Sequence, residues 1–192
     1  DHGTGLLVID VADPENPVIV DTVSATPHVT SVAISGTHAY VTDVQLGLQV
    51  IDLADPGNPV LMGSVSLPGW PQWVSVSGTH AFVANSERGL VVVDVEDPLS
   101  PEIIGRLDTP AWAMGVAVAG THAYIADWDS FQVIDISTPS SPPQIVGEVE
   151  TREEEGSNED LQQLKDLASE APIIRLVSLI ISHALEARAS DI

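Results

Sequence analysis

One six-residue phrase recurs three times in this chain at intervals of 42 residues, and a second phrase keeps nearly the same spacing. The first occupies residues 35–40, 77–82 and 119–124, and every copy contains Gly-Thr-His-Ala. The second is Val-Ile-Asp or Val-Val-Asp; its copies end at Asp10, Asp52, Asp94 and Asp135, with steps of 42, 42 and 41. Short apolar runs that repeat with a period in the low forties are typical of β-propeller blades. The repeat therefore predicts an all-β fold.

Residues 110–150 show the repeating unit most clearly. Four short runs rich in Val, Ile and aromatic residues lie at 114–119, 122–126, 131–136 and 144–149. Gly120, Asp127 and the Ser/Thr/Pro cluster 137–143 separate them, as is expected between strands. One repeat thus predicts four strands, which make one blade.

The number of predicted strands does not complete a ring. The chain begins with the third and fourth strands of a blade, at 6–11 and 17–23, and three complete blades follow near 29–66, 71–108 and 113–150. Closed propellers typically have four to eight blades, whereas this count gives about three and a half. Two copies would not close a ring, because each would bring an unmatched half-blade. We therefore expect the earlier blades to lie upstream of Asp1.

A longer phrase carries a family resemblance. Residues 47–59 follow the pattern Gly-Leu-x-Val-Ile-Asp-Leu-Ala-Asp-Pro-x-x-Pro, and the Gly-Thr-His-Ala-Phe/Tyr phrase comes after it. This pattern resembles the LVIVD-repeat family of bacterial and archaeal surface propellers, over four copies in residues 5–150. The resemblance implies a location outside the cell or on the surface of a prokaryote, and a binding or adhesive role. It implies no catalytic residues, because the motif is a folding motif.

The charge of the chain excludes several classes of partner. The 192 residues carry a formal net charge of -22 with six basic residues, and both residues 1–147 and residues 148–192 are acidic. Binding to nucleic acid depends on Lys and Arg that neutralise phosphates, so no nucleic-acid partner is expected. An anionic membrane surface is disfavoured for the same reason. No run reaches the roughly 20 apolar residues of a spanning helix, so no membrane insertion is expected.

The composition shifts after residue 150. Residues 151–158 form a charged linker containing Gly and Ser, and a helix is predicted from Glu159 to about residue 169. Pro172 suits the first turn of a second helix, in which Ile173, Leu176 and Ile180 recur at helical spacing. The predicted organisation is propeller repeats in 1–150, an acidic linker in 151–158 and a helical segment in 159–192.

Residues 159–192 also resemble a known segment. The stretches 167–181 and 187–192 are similar to the region that precedes the motor core in type II secretion and type IV pilus assembly ATPases. The chain has no Gly-x-x-x-x-Gly-Lys-Ser/Thr loop, and Lys165 is its sole lysine. We therefore expect no ATPase activity. The pairing has two possible origins: a genuine gene fusion, or a junction introduced by genome assembly or gene prediction.

The predicted ligand site lies where the repeats diverge. His28, Trp70 and Trp112 occupy equivalent positions, 42 residues apart, just before the innermost strand of each blade, and Trp73 and Trp128 lie nearby. This is the mouth of the central channel in a propeller. Exposed aromatic side chains on a rigid scaffold suit recognition of a peptide or a carbohydrate. The alternative is that these rings pack between blades and cap the core.

The invariant positions of the repeat predict structural roles. These residues are His38, His80 and His122; Gly36, Gly78 and Gly120; and Asp10, Asp52, Asp94 and Asp135. Each histidine lies in its own blade, so a shared metal ion is not expected, and the aspartates are expected to bond to local backbone. Asp127 and Asp129 could contribute to a calcium site, but calcium takes six to eight oxygens. Asp43 and Asn85 are counterparts of Asp127 and favour a turn cap instead.

These observations favour a non-enzymatic binding module of a larger surface protein, without a cofactor. The expected partner is a protein or a carbohydrate at the divergent loops, together with missing blades of the same protein or self-association through the open ring. One alternative is a purely structural repeat. Another is an enzyme whose active residues lie in the missing blades, because some propellers host hydrolases at the channel mouth.

Overall fold

The computed structural model describes residues 5–23, 28–138 and 143–150, all of which lie in one compact unit, Asp1–Thr151. These residues form fourteen strands and no helix. Within the same residues, no helix is long and apolar enough to cross a membrane. The predicted linker 151–158 and the predicted helices of 159–192 lie outside the described residues.

The strands form four antiparallel sheets that follow one another along the chain. Sheet one contains β1 (Leu6–Asp10) and β2 (Val18–Val23). Sheet two contains β3 (Val29–Ser35), β4 (His38–Asp43), β5 (Gly47–Asp52) and β6 (Val60–Val65). Sheet three contains β7 (Trp73–Ser77), β8 (His80–Ala84), β9 (Leu90–Asp94) and β10 (Glu102–Leu107). Sheet four contains β11 (Ala113–Ala119), β12 (His122–Asp127), β13 (Ser130–Asp135) and β14 (Gln144–Glu150).

The Gly-Thr-His phrase makes the hairpin between the first two strands of each complete sheet. Ser35 pairs with His38 across a two-residue turn, and the same pairing joins Ser77 to His80. The first turn residue is Gly36, whose φ is +59°, and its counterparts in the other two sheets have φ of +58°. A glycine at this position is what a two-residue type II′ turn requires.

The second and third strands of each complete sheet are its most buried ones. In β9, Leu90, Val91, Val92 and Val93 are at most 2% exposed. Leu90 and Val92 pack in the core shared with sheet four, and Val91 and Val93 pack in the core shared with sheet two. Because both faces of the strand are buried, its apolar residues run without interruption instead of alternating with polar ones.

Three apolar cores join neighbouring sheets face to face. Sheets one and two share a core that includes Val23 and Ile51; the other two cores join sheet two to three and sheet three to four. The first strands also contact one another, β3 with β7 and β7 with β11. The complete sheets are therefore arranged in chain order with their first strands next to one another, and the fold is a propeller-like repeat.

Candidate functional site

The predicted ligand residues lie at one end of the sheets, where the chain enters each first strand. His28, Trp70 and Trp112 lie on the crossovers that lead into β3, β7 and β11. Trp73 begins β7, and Trp128 lies in the loop between β12 and β13. We call these five residues the crossover face. All four tryptophans of the chain belong to it.

The side chains of the crossover face are exposed. Trp70, Trp73, Trp112 and Trp128 are 66%, 52%, 57% and 69% exposed, and His28 is exposed as well. Within the described sheets, the four tryptophans are therefore not buried, and the ligand site stays a prediction. Large apolar side chains that stay accessible on a surface are available to a partner.

Trp112 and Trp128 form an aromatic pair across the crossover and the loop. Their ring centroids are 6.4 Å apart, and their planes meet edge to face at 75°. The Trp128 backbone N–H donates to the carbonyl oxygen of Trp112 at 3.0 Å. The Asp127 carboxylate accepts from the backbone N–H of Ala111 at 3.0 Å and from that of Asp129 at 3.1 Å. Side-chain and backbone contacts thus fix both rings.

His28 has the same backbone support in sheet two. Its N–H donates to the Asp43 carboxylate at 2.8 Å, and its carbonyl oxygen accepts from Val44 at 3.2 Å. Asp43 also accepts from the N–H groups of Gln45 and Leu46. Asp43 and Asp127 therefore cap equivalent loops, and both carboxylate oxygens of each bond to backbone. Asn85, their counterpart, instead donates through its amide to the carbonyl oxygen of Pro68.

Ser86 supports the crossover face in sheet three, although the sequence alone did not single it out as a site residue. Its side chain is 3% exposed, and its φ of +43° lies in the left-handed region. The hydroxyl donates to the carbonyl oxygen of Trp70 at 2.9 Å and accepts from the Gln72 amide at 3.1 Å. Its backbone exchanges two hydrogen bonds with Ala113, of 3.0 and 3.1 Å. Ser86 thus ties the Trp70 crossover to the start of β11. A signal was present in the sequence, because residues 86–88 (Ser-Glu-Arg) differ from the equivalent loop residues 44–46 and 128–130.

A second set of bonds ties sheet two to the same crossover. The Thr30 hydroxyl donates to the carbonyl oxygen of Pro71 at 2.8 Å, and the Val74 N–H donates to the Ser31 hydroxyl at 3.3 Å. Thr30 and Ser31 belong to β3, whereas Pro71 and Val74 flank Trp73. The backbone that carries Trp70 and Trp73 is therefore hydrogen-bonded to sheet two through Thr30 and Ser31 and to sheet three through Ser86.

The repeated aspartates lie at the opposite end of the sheets, where the third strand of each blade ends. Asp10, Asp52, Asp94 and Asp135 each accept a hydrogen bond from the backbone N–H two residues later, at 2.8 to 2.9 Å. The backbone N–H and hydroxyl of Ser137, followed by the nearby His122, lower the pKa of Asp135 below its ordinary value. The Asn16 side chain and the Glu15 backbone N–H lower the pKa of Asp13 in the same way. The carboxylates of Asp13 and Asp135 therefore favour the charged form, and the repeated aspartates fix the turn into the fourth strand.

The repeated histidines lie apart, one in each complete sheet. His38, His80 and His122 are half-buried, and each ring lies 6.4 to 6.5 Å from the aromatic ring two residues later in its own strand. Among the described residues, no group of three or more His, Asp or Glu side chains could hold a metal ion. The structure therefore places the histidines in separate hairpins.

Comparison with known proteins agrees with both resemblances. The model of the LVIVD repeat family matches residues 1–25, 28–66, 68–109 and 111–151. The type II secretion system protein E of Xanthomonas campestris pv. campestris (strain ATCC 33913 / DSM 3586 / NCPPB 528 / LMG 568 / P 25) is 60% identical over 45 residues. That match covers 23% of this chain and 8% of the relative. The chain thus spans less than a tenth of that protein.

Two solved structures share the fold. The computationally designed Ika8 protein superposes with a TM-score of 0.61 at 11% identity, covering 77% of this chain and 44% of that one. The computationally designed Ika4 protein superposes with a TM-score of 0.51 at 13% identity, covering 67% of this chain and 73% of that one. At these identities the likeness concerns the fold alone.

Proposed function

The chain belongs to the LVIVD repeat family, and we propose that its repeats form a non-catalytic binding module of a larger prokaryotic surface protein. The repeats form part of a β-propeller, and the crossover face binds the ligand. The observation that carries this proposal is the exposure of all four tryptophans on a backbone fixed by the bonds of Ser86, Asp127 and Thr30.

The exposed rings favour binding on energetic grounds. A tryptophan carries 150–250 Å² of surface, and more than half of each ring remains in contact with solvent. Covering roughly 100 Å² of apolar surface per ring contributes about 2–3 kcal/mol. The Trp112–Trp128 pair is already ordered, so binding there would cost little side-chain entropy.

The proposed ligand is a protein or a carbohydrate. Tryptophan is enriched among the residues that dominate protein interfaces, and a flat indole can also stack on a sugar ring. The net charge of -22 disfavours nucleic acid and anionic membranes as ligands. No calcium is needed in this proposal, because both oxygens of Asp127 accept from backbone. For residues 159–192 we propose a relation to secretion ATPases without ATPase activity.

A binding array tests the proposal. The full chain is applied to immobilised oligosaccharides and peptides of defined sequence, and the strongest hit is titrated by tryptophan fluorescence. We expect Trp112→Ala and Trp128→Ala each to weaken binding at least tenfold while the fold is kept. Leu99→Ala is the matched control, since Leu99 is 64% exposed at the opposite end of the sheets. Absence of any hit, or equal binding by all variants, would favour a purely structural repeat.

A further inference from the structure

A glycine in the fourth strand of a sheet leaves space for the following sheet to pack against the backbone, and we call this space the glycine seat. Gly63 in β6 and Gly105 in β10 occupy equivalent positions. A Cβ atom on Gly63 would stand 2.6 Å from the carbonyl oxygen of Pro98 and 2.7 Å from that of Leu99. These carbonyls belong to the turn between the third and fourth strands of sheet three. At Gly105, the nearest atom of the next sheet is Pro143 Cδ, at 3.5 Å.

Gly147 occupies the same position in β14, and no turn of a following sheet contacts it among the residues that the structure describes. Among the described residues, the atoms within 4 Å of a Cβ on Gly147 are Cβ and Cγ2 of Val133, at 3.5 and 3.7 Å. Val133 belongs to the same sheet as Gly147. The position is therefore built like Gly63, but no turn of a following sheet lies against it within the described part of the chain.

Within the part of the chain that the structure describes, the apolar residues beside Gly147 are less covered than their counterparts in sheet two. Tyr124, Phe131 and Val133 correspond to Tyr40, Leu48 and Val50, which are 6%, 0% and 0% exposed in the core against sheet three. In sheet four all three are half-buried. The rings of Tyr124 and Phe131 stack with centroids 6.0 Å apart, so this surface is ordered. We call Tyr124, Phe131, Val133 and Gly147 the tail face.

Sheet one presents the complementary surface. Its Leu7, Ile9 and Val11 correspond to Val91, Val93 and Val95, whose side chains pack in the core between sheets two and three. Ile9 and Val11 are 47% and 63% exposed, and Leu7 is half-buried. These three residues, together with Pro14 in the adjoining turn, are the head face.

The turn of the head face has the shape that the glycine seat accepts. Asp13 accepts from the Glu15 N–H through its carboxylate and from the Asn16 N–H through its carbonyl, both at 3.1 Å. Asp97 makes the same two bonds, to Leu99 at 3.0 Å and to Ser100 at 3.1 Å. The turn that contacts Gly63 therefore has a preformed counterpart beside β1.

We propose that the tail face of one copy of this chain docks the head face of a second copy. The carbonyls of Pro14 and Glu15 would lie against Gly147, and Leu7 and Ile9 would cover Phe131 and Val133. The contact is heterologous, because two different surfaces meet. Among the described residues, each complex keeps one uncovered head face and one uncovered tail face, so larger oligomers are expected as concentration rises. The crossover face takes no part in this contact.

Charge gives the association a definite salt dependence. Each copy carries a net charge of -22, so two copies repel each other. Salt screens this repulsion, with a Debye length of about 30 Å at 0.01 M and about 8 Å at 0.15 M. Apolar burial is not weakened by NaCl in the same way. Association therefore strengthens with ionic strength, the opposite of a contact held by ion pairs.

Sedimentation velocity of the full chain tests the proposal. The wild type is expected to associate from low to high micromolar concentration, and more strongly in high salt. Gly147→Glu blocks the tail face, and Ile9→Glu blocks the head face; both positions have room for a side chain. Each variant alone should be monomeric. An equimolar mixture should give one-to-one dimers, since one copy retains a tail and the other a head.

Controls make each outcome decisive. Ile34→Glu places the same charge on an exposed isoleucine, 60% accessible, in β3 away from both faces, and should associate like the wild type. Gly147→Ala, a milder change, should weaken association at least fivefold with an unchanged circular dichroism spectrum. A wild type that stays monomeric in high salt overturns the proposal. So does a mixture that stays monomeric, or blocked variants that associate like the wild type.

Discussion

The rings of Trp112 and Trp128 meet edge to face with their centroids 6.4 Å apart, although both remain more than half exposed. The two residues are sixteen positions apart in the sequence: Trp112 lies on a crossover, and Trp128 lies in a loop. The backbone bond from Trp128 to Trp112 and the Asp127 carboxylate hold them in place. The sheet thus orders an aromatic surface that it does not bury.

The aromatic pair should contribute measurably but modestly to stability. Edge-to-face pairs are worth about 0.5–1.5 kcal/mol beyond the area they bury. A double-mutant cycle with Trp112→Ala and Trp128→Ala, followed by urea unfolding, should give a coupling free energy in that range. A coupling near zero would mean that the rings do not touch in solution.

Equivalent glycines should respond differently to alanine. At Gly63 a Cβ would collide with the carbonyls of Pro98 and Leu99, whereas at Gly147 it meets only ordinary contacts. Gly63→Ala should lower the free energy of unfolding by about 1–3 kcal/mol, as overpacking does. Gly147→Ala should change it by less than about 0.5 kcal/mol. The comparison uses urea unfolding at low protein concentration, where copies are dissociated; equal losses at both sites would contradict the seat at Gly63.

Ser86→Ala should destabilise sheet three. The substitution removes the hydroxyl bonds to Trp70 and Gln72 and leaves the carbonyl of Trp70 without this donor. The expected loss is about 1–3 kcal/mol in the free energy of unfolding. Ser64→Ala is the matched control, because Ser64 is an exposed strand residue and should change stability by less than about 0.5 kcal/mol. If both variants unfold at the same urea concentration, the Ser86 hydroxyl does not stabilise the Trp70 crossover.

Alkaline pH should weaken the fold through its buried tyrosine. Burial raises the pKa of Tyr40, and burial likewise raises that of Tyr124. Because the folded-state pKa is the higher one, the unfolded chain ionises first, near pH 10. Stability is therefore unaffected by these groups below about pH 10 and falls as pH rises through the folded-state pKa. Urea unfolding from neutral to alkaline pH should show a smaller decline in Tyr40→Phe than in the wild type; identical declines would exclude Tyr40 as a cause.

The repeat predicted the strands well because the same local signals recur in each copy. The turn glycines, the Asp bonds and the apolar runs are set by short-range chemistry, and the strands end within about one residue of the predicted bounds. The sequence left open whether Trp70 and Trp112 are exposed or packed, since this depends on whether a neighbouring sheet covers the ring. The bonds of Ser86 also join two sheets, and no spacing within one repeat reports them. Whether a Cβ fits at Gly63 or at Gly147 likewise depends on a contact with another sheet, which the spacing within one repeat does not report.

The indole N–H signals of the four tryptophans test the central claim most directly. In a ¹⁵N-labelled sample, single Trp→Phe variants assign the signals of Trp70, Trp73, Trp112 and Trp128, and the ligand selected on the array is then added. The account predicts that the Trp112 and Trp128 signals shift in a saturable way, with an affinity that matches the fluorescence titration. Saturable binding that leaves all four indole signals unmoved would contradict it.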